Sequence, residues 1–309
     1  MIARSERIEG GLIGMLVGDA LGVPYEFHPP HHIPPEALIE FDPPPGFVRA
    51  HRGVPPGTWS DDGAHALCLL SSLLDNGRLD LEDFSERLVR WQREGYLAVD
   101  GVVFDIGIQT SKALMRVALG ALPEEAGPDG EWDNGNGSLM RVLPLALWHQ
   151  GGDGALVADA ARQSRVTHGH IRAQVCCALY CLWARRLLAC TDDPFEDAAR
   201  TLREVYQRTD DGDALQELDE IVLPGILPEG KGYVLDTLHS TKLVMAHGRY
   251  PQVVRRAIRL GHDTDTTACV AGGLAGIREG IQGIPARWRY GLRGGVLLAP
   301  LIEGLLAHG

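Results

Sequence analysis

The chain has 309 residues, of which 45% are hydrophobic, and it carries a formal net charge of −12 at pH 7. This length allows one large domain or two ordinary ones, and the apolar fraction is sufficient for a substantial core. The acidic balance argues against a protein that binds duplex nucleic acid or a membrane surface by neutralising phosphates.

The cysteines and the N-terminal residues indicate the cellular compartment. The six cysteines form no matching pair of Cys-x-x-Cys motifs, and several lie on apolar helical faces, where a free thiol behaves as a small hydrophobic group. The N-terminal residues contain no apolar signal core behind basic residues, and no run approaches 18 apolar residues. We therefore expect a soluble, cytoplasmic protein with reduced cysteines and no membrane partner.

The first predicted helix covers residues 6–22. Gly11, Gly14 and Gly18 are interspersed there among leucine, isoleucine and valine. Each glycine costs an exposed helix about 1 kcal/mol relative to alanine, so their repetition indicates close packing against another helix. Asp19 lies near the C-terminal end, where the helix dipole disfavours an acid. We expect Asp19 to have a specific partner.

Residues 28–56 are rich in proline, which is incompatible with a regular helix. We expect an irregular surface loop beside the functional site. The loop contains two adjacent histidines, His31 and His32. In this context we expect them to be solvated rather than to bind a metal.

A hydroxyl and two carboxylates come next, at Ser60, Asp61 and Asp62. Apolar residues then keep helical spacing from 64 to 74, and Asn76-Gly77 is a natural stop for a helix. This cluster therefore lies at the N-terminus of a mostly buried helix.

A turn rich in glycine and asparagine, with the sequence DNGNGS at 133–138, leads into the apolar run 142–148. Its backbone amides and small side chains allow close approach of a ligand, and phosphate binding is one use of such geometry. A tight turn that only caps a helix is the alternative. His168 lies just before a long helix predicted at 173–188. It either forms a hydrogen bond to a ligand or only caps this helix.

The last acidic cluster opens residues 261–281. Two carboxylates and three hydroxyls, Asp263 to Thr267, are followed by small and apolar residues at helical spacing. This pattern predicts a buried central helix with oxygen ligands at its N-terminus. Mg²⁺ and Mn²⁺ prefer such oxygens. One cluster alone often only caps a helix, but the second at 60–62 favours a metal site.

Further helices are predicted at 81–94, 102–118, 195–208, 233–247 and 291–306, and no segment has the alternation of a strand. The sequence therefore predicts an all-α fold. We expect one domain over residues 1–309 that includes the Pro-rich loop 28–56.

Six short motifs occur in the order found in a known family: GDALG at 18–22, SDD at 60–62, GNGSLMR at 135–141, TH at 167–168, GYV at 232–234 and DTDT at 263–266. With them the chain resembles the ADP-ribosylglycohydrolase family, which includes dinitrogenase reductase-activating glycohydrolase. The resemblance covers nearly the whole chain. It implies a compact helical domain that holds two divalent metal ions, Mg²⁺ or Mn²⁺.

The resemblance also implies a set of site residues. The metal ligands carry over to Ser60, Asp61, Asp62, Asp263, Asp265 and Thr266, while the side chain of Thr264 points away. The diphosphate and the distal ribose are expected beside Asn136, Gly137, Ser138, Met140 and His168.

The implied reaction is hydrolysis of the glycosidic bond between ADP-ribose and an acceptor, most simply a modified protein side chain. Two metals orient the ribose and activate water, and Asp61 or Asp62 is the candidate general base. Glu26 occupies the position of a glutamate on a mobile segment, for gating or acid–base catalysis. An exposed loop acid is the alternative for Glu26.

The chain departs from the family pattern at three positions. Ser60 replaces the threonine of many relatives but keeps the oxygen. Gly63 removes a side chain that is often threonine or serine, and His262 occupies a position where glycine is frequent. None of these changes removes a carboxylate, so activity is still expected.

Two other functions remain open from the sequence. A two-metal site also suits phosphoester or pyrophosphate hydrolysis of ADP-ribose-like nucleotides, and a non-catalytic ADP-ribose-binding protein is a third class. The residues do not separate arginine, serine, a small-molecule ester or a modified base as the acceptor. We expect acceptor choice to depend on a rim formed by the Pro-rich loop, Trp59 and Trp132. A monomer or a weak oligomer is expected.

Overall fold

The computed structural model describes residues 2–223 and 225–308, and its regular structure is helical. The described residues form fifteen α-helices, and their bounds are α1 Arg4–Gly22, α2 Asp61–Asn76, α3 Leu81–Glu94, α4 Ile108–Ala118, α5 Pro123–Ala126, α6 Leu143–Trp148, α7 Asp153–Arg165, α8 Ile171–Leu188, α9 Pro194–Thr209, α10 Gly212–Ile221, α11 Val234–Met245, α12 Tyr250–Arg259, α13 Thr264–Glu279, α14 Ala286–Gly291 and α15 Gly295–His308.

The all-α prediction is confirmed, since no strand forms among these residues and the only β contact is an isolated antiparallel bridge between Gly135 and Tyr233. Two predicted helices are shorter than expected. Residues 102–107 precede α4 as irregular chain, where Asp105 has a φ of 59°. The predicted helix 291–306 is interrupted at 292–294, where Gly294 has a φ of 76°. Helices α5, α7, α10, α12 and α14 were not predicted.

Helices α1 and α13 run antiparallel and touch through their backbones. A Cβ atom added to Gly18 would lie 2.1 Å from the carbonyl oxygen of Ala268, and one added to Gly14 would lie 2.6 Å from that of Gly272. The same holds at Gly10, opposite Gly276. Because these positions are four residues apart, they form one face of α1, which we call the glycine seam. The close packing predicted from the glycines of residues 6–22 is therefore observed.

Asp19 joins α1 to α2. Its carboxylate accepts hydrogen bonds from the backbone amides of Ser60, at 3.0 and 3.1 Å, and of Gly63, at 2.8 Å. These amides belong to the first turn of α2, where backbone donors have no partner within the helix. The expected specific partner of Asp19 is thus the N-terminus of α2. Burial raises the pKa of this carboxyl to about 7.

A single cluster of buried apolar side chains extends from Ile8 in α1 to Leu305 in α15. This continuity supports one domain, which stays a prediction for residues 1–309 because Met1, Pro224 and Gly309 lie outside the described residues. The described cysteines are all free, and five of the six are buried. No described helix combines the length and the apolar character needed to cross a membrane.

The Pro-rich segment is the predicted irregular loop, with one short 3₁₀ turn at Glu36–Leu38. It is fixed to the helical body through Glu40, which accepts hydrogen bonds from Arg255 at 2.6 Å and from the indole of Trp288 at 2.5 Å. Both His31 and His32 are solvent-exposed, as expected.

The glycine seam gives a test by substitution. Gly18→Ala would force the two backbones apart, and overpacking of this kind costs about 1–3 kcal/mol or more. Gly154→Ala is the matched control, because that helical glycine is exposed and has open space around its Cβ position. We expect a clear loss of unfolding free energy for Gly18→Ala in urea denaturation followed by circular dichroism, and none for Gly154→Ala. Equal stability of the two variants would contradict the direct backbone contact of α1 and α13 at the glycine seam.

Candidate functional site

A cavity of about 900 Å³ opens between the N-termini of α2 and α13. Its floor is acidic and its walls come from the turn before α4, the Gly/Asn turn and the segment before α11. Its lining includes these predicted site residues: Glu26, Asp61, Asp62, Asn136, Gly137, Met140, His168, Asp263 and Thr266. The two acidic clusters, far apart in the sequence, therefore meet in one place.

The first cluster forms the cap and first turn of α2. Ser60 is the N-cap, and its hydroxyl accepts a hydrogen bond from the amide of Asp62 at 3.3 Å. Asp61 and Asp62 follow in the first turn, both buried, where the positive end of the helix dipole favours acids. Within this cluster Asp61 and Asp62 line the cavity, whereas Ser60 does not.

The second cluster lies at the start of α13, where Asp263 and Thr266 line the cavity and the fully buried Asp265 does not. Asp263 is the N-cap residue, and its Oδ2 accepts a hydrogen bond from Nδ2 of Asn136 at 2.8 Å. The hydroxyl of Thr266 donates to Oδ1 of Asp62 at 3.3 Å and so connects the two helix ends. The hydroxyl of Thr264 donates to the carbonyl of Gly22 at 2.8 Å, so this side chain points away from the cavity, as expected.

Several carboxylate oxygens in the site have no hydrogen-bond partner among the described residues. These are Oδ2 of Asp62 and both oxygens of Asp265, all fully buried. Burial raises the pKa of Asp61, Asp62, Asp263 and Asp265, and neighbouring carboxylates raise it further. Buried acids are normally paired or bound to metal. The unpartnered oxygens therefore fit divalent cations, whose charge would let these acids ionise together.

Glu26 lies at the edge of this acidic floor. Oxygens of Glu26, Asp263 and Asp265 all lie within 4.8 Å of one another. The side chain is buried, so the alternative of an exposed loop acid is wrong. Oε2 of Glu26 lies 2.5 Å from Nε2 of His51, which in turn is 4.0 Å from Oδ1 of Asp105.

Burial raises the pKa of Glu26 to about 11, with contributions from Asp105 and Asp263, and burial lowers the pKa of His51. Both shifts favour a neutral pair, in which protonated Glu26 donates its hydrogen bond to the imidazole. His51 comes from the Pro-rich loop, so this loop reaches the acidic floor of the cavity and does more than flank it.

The Gly/Asn turn forms one wall of the cavity and is fixed on both sides. The amide of Gly135 donates to Oε1 of Gln109 at 2.7 Å, and the amide of Asn136 donates to the carbonyl of Gly232 at 3.1 Å. Gly137 and Met140 lie on the wall as predicted. Ser138 does not: it is fully buried behind the wall, and its hydroxyl accepts a hydrogen bond from Ser164 at 2.8 Å.

His168 lies next to this wall. Its Nδ1 is 2.8 Å from the hydroxyl of Thr167, which accepts a hydrogen bond from the buried guanidinium of Arg141 at 2.6 Å. Burial, reinforced by the charge of Arg141, lowers the pKa of His168 to about 3. The imidazole is therefore neutral, and its Nε2 side faces Gly135 and Gly137.

The predicted rim is partly wrong. Trp59 is 1% exposed and its indole donates to the carbonyl of Leu97 at 3.1 Å, so it belongs to the core and not to the rim. Its ring occupies the space beside Gly63, where an added Cβ would lie 2.8 Å from it. The absence of a side chain at this position thus has a packing reason. Trp132 is 91% exposed at the cavity mouth, in agreement with the prediction.

His262, the third departure, has a φ of 61° and is half-buried. Its amide donates to the carbonyl of His28 and its carbonyl accepts from the amide of Phe27, both at 2.7 Å. This pairing fixes the segment after Glu26 against the start of α13.

Sequence reasoning missed several residues of the site, among them His51, Asp105, Gln109, Lys112 and Arg172. Asp105 and Gln109 were hidden because residues 102–118 were interpreted as one amphipathic helix. A signal was present in Asp105-Ile106-Gly107, since an aspartate and a glycine just before a helical pattern are typical of a helix start. His51 has no local signal.

Comparisons with known proteins agree with this geometry. A family model described as ADP-ribosylglycohydrolase matches residues 1–309. ADP-ribosylarginine hydrolase Tri1 of Pseudomonas putida (strain GB-1) is 32% identical over 289 residues, which cover 92% of this chain and 73% of that protein. The ADP-ribosyl-dinitrogen reductase glycohydrolase of Rhodospirillum rubrum is 26% identical over 295 residues, covering 92% of this chain and 89% of that protein.

A solved structure described as an ADP-ribosylglycohydrolase-related protein complex superimposes with a TM-score of 0.78 at 32% identity, covering all of this chain and 98% of the other. The family resemblance noted from the six motifs is thereby confirmed. This chain belongs to the ADP-ribosylglycohydrolase family and is an ADP-ribosyl glycohydrolase, a hydrolase that acts on glycosyl bonds.

Proposed function

We propose that this enzyme releases ADP-ribose from arginine side chains of modified proteins. The observation that carries the proposal is the meeting of two acidic helix N-termini on the floor of one cavity. Homologues of this chain remove ADP-ribose from modified protein residues. Arginine is supported by the names of two relatives, at 32% and 28% identity, both called ADP-ribosylarginine hydrolase.

The charge of the site also supports an arginine acceptor. Three acids line the cavity apart from Glu26 and the proposed metal ligands, namely Asp105, Glu131 and Asp133. A guanidinium group is cationic and rich in hydrogen-bond donors, so these carboxylates favour its approach. A serine acceptor would bring no such charge to these carboxylates.

The family depends on divalent metals, and we propose two Mg²⁺ or Mn²⁺ ions at the cavity floor. Asp61 and Asp62 would hold them from α2, with the Ser60 hydroxyl as a further oxygen. Asp263, Asp265 and Thr266 would hold them from α13. When bound, such a pair polarises oxygens, orients the ribose hydroxyls and lowers the pKa of water. The unpartnered oxygens of Asp62 and Asp265 support this assignment.

The remaining chemistry is assigned to residues of the chain. Glycosidic bonds break through a cation-like sugar, which a nearby negative charge stabilises. We assign the general base, which takes a proton from the attacking water, to Asp61 or Asp62 because both reach the cavity wall. Glu26 is assigned to acid–base catalysis at the acceptor, since a protonated carboxyl can donate a proton to a leaving group.

The Gly/Asn turn and His168 are assigned to the ADP portion. Gly135 and Gly137 leave the wall free of side chains, so a diphosphate can approach the backbone. The neutral imidazole of His168 lies against the same glycines and offers a hydrogen bond without a charge. Asn136 is assigned a double role, on the cavity wall and as the donor that orients Asp263. Met140 supplies apolar contact, whereas the buried Ser138 supports the turn from behind.

A product assay tests the function directly. We expect Mg²⁺- or Mn²⁺-dependent release of intact ADP-ribose from arginine-linked peptides, with loss of turnover in EDTA and recovery when metal is restored. Serine-linked peptides and free ADP-ribose are the comparison substrates. Formation of AMP from free ADP-ribose would instead establish a pyrophosphate hydrolase, and turnover of the serine conjugate alone would overturn the arginine assignment.

Substitution of the floor carboxylates tests the metal ligands. We expect Asp265→Asn and Asp61→Asn to lower turnover by more than about a hundredfold, beyond the usual cost of changes around a metal ligand. Loss of a buried, unpaired charge should leave the metal-free protein as stable as the native one or more so. The rise in Tm that we expect Mn²⁺ to produce in the native protein should be absent from both variants.

Asp192→Asn, an exposed acid, is the matched control for these two variants. It should keep both turnover and the thermal response to Mn²⁺. Unimpaired turnover in both Asp61→Asn and Asp265→Asn would remove the site assignment.

His51 gives a separate prediction, because its only role in the proposed chemistry is to hold Glu26. His51→Ala should lower kcat by about ten- to hundredfold, the range expected from misplacing a catalytic group, with little change in KM. Combined with Glu26→Gln, its effect should be less than additive. His31→Ala, in the exposed part of the same loop, should have no effect. Full additivity of the His51 and Glu26 substitutions would show that the two residues act independently.

A further inference from the structure

Helix α4 carries an apolar stripe on its solvent side. Ile108 is 75% exposed, Met115 is 59% exposed and Leu119 is 81% exposed. Ile108 and Met115 are seven residues apart, on one face of the helix, and Leu119 follows four residues later as the C-cap residue. The opposite face holds the buried Thr110, Ala113 and Leu114 and packs against α3 and α5. The exposed stripe therefore lies outside the hydrophobic core and needs another explanation.

The stripe is continuous with the catalytic cavity. Ile108 and Lys112 line that cavity at the start of α4. Lys112 also lines a second groove of about 380 Å³ between α3 and α4, whose walls include Met115, Leu119 and Arg93. A surface thus runs from the cavity mouth along α4 into the groove. We call it the α4 face, comprising Arg93, Ile108, Lys112, Met115 and Leu119.

The charges on the α4 face oppose those of the chain. The ion pairs of α3 involve Arg87 and Arg90. Arg93 and Lys112 form no ion pair with any acid among the described residues. The chain as a whole has a net charge of −12. Two free cations beside an apolar stripe complement a partner surface that is acidic and partly apolar.

We propose that the α4 face docks the protein that carries the ADP-ribosylated side chain, through an acidic surface next to the modified residue. This inference rests on the proposed function and extends it from the modified side chain to the folded protein around it. A conjugated arginine that reaches the cavity floor brings its own protein surface to the cavity mouth, and α4 begins on the wall of that mouth. The apolar stripe then becomes buried at each encounter, and the cations speed association with an acidic partner.

The test compares substrates that differ only in the presence of a protein. One substrate is ADP-ribosyl-arginine as the free amino acid conjugate. The others are an acidic and a basic carrier protein, each ADP-ribosylated on surface arginines. The variant Met115→Ser/Leu119→Ser removes apolar contact outside the catalytic cavity. We expect its kcat/KM for the acidic carrier to fall at least about tenfold, equivalent to one strong interface contact, with no change for the free conjugate.

The charge contribution is measured separately with Arg93→Glu. We expect it to lower kcat/KM for the acidic carrier and to weaken the dependence of that value on ionic strength. The matched control is Leu243→Ser/Val296→Ser, which removes exposed apolar side chains from α11 and α15. This control should behave as the native enzyme on every substrate, and circular dichroism should show the same helix content in all variants.

Each other outcome decides against the proposal in a distinct way. Native kcat/KM of Met115→Ser/Leu119→Ser on the acidic carrier would overturn the docking face while the proposed function stands. An equal loss on the carrier and on the free conjugate would show that α4 acts through the cavity and would also overturn docking. If the native enzyme cleaves no arginine conjugate, the proposed function fails and the docking inference fails with it.

Discussion

The direct contact of the α1 and α13 backbones is the constraint on which the rest of the structure depends. Where Gly14 and Gly18 face Gly272 and Ala268, no side chain separates the two helices. Such close approach fixes the axial position of one helix along the other as well as the distance between them. The reason is that each glycine accommodates one particular carbonyl group of the partner helix. The start of α13 is therefore held beside the end of α1. From there Asp19 reaches the amides at the start of α2.

This arrangement explains how so many acids are buried together. The starts of α2 and α13 each place their carboxylates at the positive end of a helix dipole, and at α2 the free amides donate to Asp19 and to the Ser60 hydroxyl. The favourable contribution is limited, since Asp62 and Asp265 still have oxygens without partners. The folded chain thus holds its acids in a costly arrangement, which the two divalent cations proposed above would relieve. Binding of metal and stability of the acidic floor would be coupled for this reason.

Much of the fold and of the floor could be predicted from the sequence because the signals there are local. A hydroxyl or a carboxylate just before a helical pattern marks a helix start, and both acidic clusters have this form. The glycine spacing in residues 6–22 predicted close packing, and the position of Asp19 predicted a partner. The local sequence did not show which helix would pack against α1 or which amides would donate hydrogen bonds to Asp19.

The errors have physical reasons of the same kind. His51 meets Glu26 only because the Pro-rich loop folds back over the floor, a course set by distant anchors such as Glu40. Ser138 shares a motif with wall residues, but the chain turns there and directs its hydroxyl towards Ser164. Trp59 is next to the acidic cluster in sequence, yet a ring of that size is buried in the core. For Ser138 and Trp59, closeness to site residues in the sequence was wrongly taken to mean closeness in space.

The glycine seam has a consequence for how the protein is made on the ribosome. Helix α1 is synthesised well before α13, because α2 to α12 lie between them in the sequence. Until then the glycine-lined face of α1, which no bulky side chain protects, is without its partner, and such long-range contacts form slowly. During the same period the nascent chain contains the first acidic cluster, SDD at 60–62, but not yet the second, DTDT at 263–266. The acidic floor is therefore assembled late in synthesis, and a prematurely terminated chain that ends before α13 lacks Asp263 and Asp265.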